Sequence, residues 1–110
     1  QHEAWNAIMN PIVESKRAQV AELCRQRRVK RLELFGSAAR DDFDEAHSDI
    51  DFLVELDNDP QVSPLDAYFG LKDALEAIFG RPVDLVSMGS IVNPYVMAAI
   101  ERDRQVVYAA

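Results

Sequence analysis

Two aspartates, Asp49 and Asp51, interrupt the run Ser48-Asp49-Ile50-Asp51-Phe52-Leu53-Val54, which is otherwise apolar and β-branched enough to be a strand. On a strand, residues i and i+2 point to the same face, so the two carboxylates look the same way. An unpaired carboxylate held among apolar side chains is costly, and Asp51 has no cheap structural role there. The fold must therefore give one face of this strand something that wants negative charge.

Eleven residues upstream stands Gly36-Ser37, at the end of Val29–Phe35. That stretch alternates as a strand does, with Val29, Arg31, Glu33 and Phe35 on one side and Lys30, Leu32 and Leu34 on the other. Taken alone, a Gly-Ser pair after a strand is a turn with a helix cap. Beside a carboxylate pair it also makes an anion cradle. A helix start offers free backbone N–H groups and a positive dipole end, and glycine lets the backbone come close. Gly36 and Ser37 are thus candidates for holding the β- and γ-phosphates of a nucleotide, and Arg40, one helical turn along, for pairing with phosphate. Arg40 also stands beside Asp41, Asp42 and Asp44, with which it could pair on the surface.

A third carboxylate, Asp84, lies in the short apolar run Val83-Asp84-Leu85-Val86. Two carboxylates from one strand and one from a neighbour can hold hard cations against phosphate oxygens. Mg²⁺ takes one or two protein carboxylates and leaves the remaining positions to water and phosphate, so Asp49, Asp51 and Asp84 suit a two-metal arrangement. Asp84 alone also reads as an ion-pair partner for Arg81. The stretch from Asp41 to Asp59 is crowded with acids and repels a triphosphate unless bound cations invert the local field, so metal and nucleotide should bind together.

Around this centre the chain reads as helix over 10–28, strand over 29–35, a short turn of helix from Ser37, and a polar loop over 42–47. The carboxylate strand then runs to Leu56, and a helix follows, opened by Ser63-Pro64 and closed at Phe79 by Gly80-Arg81-Pro82. The strand carrying Asp84, a turn near Met88, a helix after Asn93-Pro94 and an edge strand over 105–108 complete the pattern. That order predicts an α/β (α+β) domain: a mixed sheet covered by helices on one face, in a single unit over 1–110.

The formal net charge of −7 disfavours a long nucleic-acid partner, which needs Lys and Arg gathered on one face. The basic cluster Arg25, Arg27, Arg28, Lys30 and Arg31 sits where a helix ends, a place that stabilises cations for structural reasons. No apolar stretch approaches the roughly 18 residues of a membrane span. The opening residues show no secretory signal, and Cys24 is the only cysteine, so a reducing compartment, the cytoplasm, is expected. His2 and His47 have no metal-ligand partners at useful spacing, while Tyr68, Phe69, Tyr95 and Met97 fall in helical segments as core or contact residues.

Gly36-Ser37-Ala38-Ala39-Arg40 followed by Ser48-Asp49-Ile50-Asp51-Phe52-Leu53-Val54 resembles the signature of the minimal nucleotidyltransferases, and Val83-Asp84-Leu85-Val86 resembles that family's third-carboxylate strand. The resemblance covers about Val29 to Val86. It implies a polymerase β-like nucleotidyltransferase fold, Mg²⁺ as cofactor and ATP as substrate. It also implies the antitoxin half of a pair with an all-helical HEPN ribonuclease toxin, silenced by transfer of AMP to a tyrosine hydroxyl. Two departures stand out: Asp41 occupies the place after the arginine where many members have glycine, and the following loop is acidic. The rival expectation is a binding module that neutralises its partner by covering it, with the aspartates vestigial. A homodimer and a hetero-oligomer with the toxin both stay open.

Overall fold

The computed structural model describes residues 9–39, 49–57, 60–90 and 93–110, with the backbone alone at Ser37, Ser90, Val96, Ala99 and Asp103. The elements are α1 Pro11–Ser15, α2 Arg17–Gln26, β1 Val29–Phe35, a 3-10 turn Gly36–Ala39, β2 Ile50–Leu56, α3 Pro64–Phe79, β3 Val83–Ser87, a second 3-10 turn Met88–Ser90, α4 Pro94–Asp103 and β4 Gln105–Ala109. The loop expected over 42–47 lies outside the described residues, as do His2 and His47.

The single helix expected over 10–28 is two. Ser15 Oγ donates to the Ile12 carbonyl at 2.8 Å, occupying the acceptor that Lys16 N–H would use in a continuous helix. Lys16 N–H turns to Val13 O at 3.1 Å instead, and the chain restarts as α2. The signals bounding α3 act as expected. The Ser63 side chain accepts from Asp66 N–H at 3.1 Å, Pro64 opens the first turn, and Gly80 ends the helix in the left-handed region at φ 65°.

Four strands form one mixed sheet in the order β3-β2-β1-β4. β1 pairs antiparallel with β2 and with β4, whereas β2 and β3 are parallel, joined by the crossover helix α3. One face is the main core: Leu32, Leu34, Ile50, Phe52 and Val54 meet Val13, Val20, Cys24, Leu71, Leu75 and Phe79 from the helices. Phe52 and Phe79 stack tilted with ring centroids 5.9 Å apart. Strand alternation sends Arg31, Glu33, Phe35, Asp51, Leu53 and Asp84 to the opposite face. Leu53 and Ile100 of α4 are buried apart from the main core. Among the described residues, no helix is long and apolar enough to cross a membrane.

Candidate active site

Strand pairing sets the site. Asp51 lies opposite Phe35 on one side and opposite Asp84 on the other, so two carboxylates from adjoining parallel strands stand side by side on the sheet face away from the helical core. Asp49 precedes β2 by one residue, two positions from Asp51, and is exposed; Asp84 is exposed as well, and Asp51 is half-buried. The entry of β2 is tied down by Ile50 N–H donating to Pro82 O at 3.3 Å, which carries the pairing with β3 right to the edge of the carboxylates.

Gly36 follows Phe35 directly and takes φ 72°, a conformation that L side chains rarely adopt. A Cβ on Gly36 would stand 2.2 Å from Asp51 Oδ2 and 3.0 Å from its Cγ. Backbone and carboxylate therefore pass where only a hydrogen fits, and the 3-10 turn Gly36–Ala39 springs from that point. α4 lies beside the same turn. Ser37 belongs to the turn by its backbone, while Arg40 lies outside the described residues.

Among the described residues, no three His, Cys, Asp or Glu side chains close into a metal cage. Asp51 and Asp84 share one sheet face and Asp49 precedes β2 by one residue, but the three do not converge to that degree. The donor set nevertheless fits Mg²⁺, because all three supply hard oxygens and the ion needs only one or two from the protein. Asp84 makes no ion pair with Arg81 among the described residues.

The basic cluster is largely engaged within the chain. Arg25 pairs with Glu22 at 2.7 Å, Arg28 with Asp57 at 3.6 Å, and Arg31 with Glu33. Glu33 is fully buried two residues before Phe35 and is also met by Arg104, just after α4, with Nε 3.1 Å from Oε1. That approach lacks hydrogen-bond geometry, so Oε1 has an ionic neighbour but no directed donor. Sequence reading placed Glu33 on the right side of β1 but gave no sign that β4 and Arg104 would enclose it.

A nucleotidyltransferase domain model matches residues 17–107. A Methanocaldococcus jannaschii protein named as a candidate protein adenylyltransferase is 46% identical over 76 residues, covering 69% of this chain and 74% of the relative. The solved structure of a candidate minimal nucleotidyltransferase superposes with TM-score 0.71 at 29% identity, over 90% of this chain and 96% of that one. A chain of the Shewanella oneidensis complex between a tri-AMPylated HEPN toxin and its MNT antitoxin superposes with TM-score 0.61 at 18% identity, over 88% and 72%. At that identity the last likeness is one of fold.

Proposed function

This chain belongs to the nucleotidyltransferase domain family, and on that premise we propose that it transfers AMP from ATP to a tyrosine hydroxyl of a HEPN-domain toxin, acting as the antitoxin. The observation that carries the proposal is the meeting of three strand ends: Asp51 in register with Asp84, and the Gly36 backbone against the Asp51 carboxylate. Such a corner has a polar, acidic floor and a wall of backbone close enough to touch a phosphate. The relatives named as adenylyltransferases and the fold shared with an antitoxin bound to an AMPylated HEPN toxin support the choice of AMP and of acceptor.

In this reading the backbone N–H groups of the turn from Gly36 hold the triphosphate tail, assisted by Arg40. Asp49, Asp51 and Asp84 would hold Mg²⁺, which when bound would neutralise the charge that these carboxylates and the phosphates bring together. The acceptor hydroxyl oxygen bonds to the α-phosphorus as the bond to pyrophosphate breaks, and its proton passes to the exposed Asp84 carboxylate. The pairing of Asp51 with Asp84 across two hydrogen-bonded strands fixes their spacing before substrate arrives, which is where much of the rate advantage of such a site originates.

The test is incubation with Mg²⁺, each nucleoside triphosphate in turn, and the product of the adjacent gene, read by intact mass. ATP alone should add one or more AMP units to the partner, and Asp51→Asn should abolish the addition with the complex still formed. Tight complex formation with no change in mass would instead establish the cover-only module.

A further inference from the structure

Helix α3 turns an apolar ridge to solvent. After Pro64 its exposed positions are Leu65, Asp66, Phe69, Asp73 and Ala77, one outward stripe at helical spacing. Leu65 is 65% exposed and Phe69 50%, and Val62 just before the helix is 43% exposed. Grooves flank the ridge on both sides. A cavity of about 260 Å³ lies between its start and the end of α2, and one of about 450 Å³ between it and the end of β3. The ridge is also pre-set: Phe69 packs edge-on against Tyr68 at 5.1 Å, and the Tyr68 hydroxyl donates to the Leu85 carbonyl. Docking on side chains already held in place forfeits little rotamer freedom.

Charge narrows the occupant. Asp66 and Asp73 bracket Phe69 and form no ion pair among the described residues. The one lysine of the helix, Lys72, is engaged with Glu76 at 3.0 Å. The guanidinium of Arg27 lies against Gly70, at the α2 side of the ridge, leaving the outward stripe itself acidic. A second copy fits this surface poorly, since an antiparallel pairing of two α3 helices about Phe69 brings Asp66 of one alongside Asp73 of the other.

We propose that this ridge is the docking surface for the protein acceptor, and that the acceptor meets it with an apolar pocket rimmed by Lys or Arg. The inference rests on the reading of a HEPN-domain acceptor given above. β2 separates the two functions: Asp51 stands near its start and Leu56, which lines both grooves, at its end, about 15–20 Å away along a strand of this length. The acceptor is thus gripped away from the chemistry and reaches it with a separate segment.

The test is titration calorimetry of the HEPN-domain protein against wild type, Leu65→Asp/Phe69→Asp and Asp66→Lys/Asp73→Lys, with thermal unfolding and MgATP binding measured on each. The first double variant should bind the partner at least about 30-fold more weakly, the scale of a buried aromatic anchor, with unchanged MgATP affinity. The second should slow association and flatten its salt dependence. Wild-type affinity in the first variant overturns the ridge while leaving AMP transfer standing. A wild-type dimer that Phe69→Asp dissociates overturns the heterologous occupant. Absence of both binding and transfer in wild type overturns the acceptor reading and this inference together.

Discussion

A methyl group on Gly36 would impose two separable costs, and a second glycine isolates one of them. Gly36 and Gly80 have nearly the same backbone angle, φ 72° and 65°. A Cβ on Gly80 meets nothing within 4 Å, whereas one on Gly36 lands 2.2 Å from Asp51 Oδ2. Gly80→Ala therefore reports left-handed strain alone, about 1 kcal/mol, or a fall of roughly 5 °C in Tm for a domain of this size. Gly36→Ala adds a displacement of the Asp51 carboxylate by roughly 1 Å to restore ordinary contact, and a shift of that size costs about 100-fold in rate. Chemical denaturation gives the stability of both variants, and the rate of AMP addition to the partner gives their activity at a temperature where both are folded. Gly80→Ala should transfer at the wild-type rate. If Gly36→Ala keeps more than half of that rate with only the strain cost in stability, the close approach of backbone to Asp51 is not what positions the site.

Asp84→Asn should leave stability within about 0.5 kcal/mol, because the side chain is exposed, yet lower transfer about 100-fold or more, checked by unfolding and intact-mass time courses on the same sample. Glu33→Ala should cost about 2–3 kcal/mol by denaturant midpoint, reduced from the value for a fully buried pair because Arg31 and Arg104 reach solvent. Burial pushes the Cys24 thiol from the ordinary 9.0 up to about 12. The folded chain then keeps this proton where the unfolded chain releases it, so the contribution of Cys24 to stability falls as pH rises from about 9 and stops falling near 12. Cys24→Ser should remove that slope in denaturant midpoints measured across the range.

The legible parts of the fold were those written locally. β1 occupies Val29–Phe35 and its two sides are as expected from Arg31 on, whereas a register shift between Val29 and Arg31 turns Val29 into the main core; α3 runs from Pro64 to Phe79 between a capping serine and a left-handed glycine. The break at Lys16 was not legible, because it depends on which donor wins one carbonyl, Ser15 Oγ or the next backbone N–H. Tertiary pairings were likewise hidden. Nothing in the order of residues puts Asp84 opposite Asp51 until the parallel pairing of β2 with β3 is known, and nothing shows that Glu33 is sealed in until β4 lies beside it. The site was readable as a set of residue types with a common chemistry, whereas its spacing belongs to the sheet. The expectation for Arg40 falls outside the described residues.

The parallel crossover bears on when such a protein becomes competent during its own synthesis. Asp51 leaves the ribosome well before Asp84, and the two become neighbours only after the intervening helix has folded back over the sheet. An unfinished chain can hold a strand and a glycine turn but not the paired acids, so catalytic capacity switches on late and all at once.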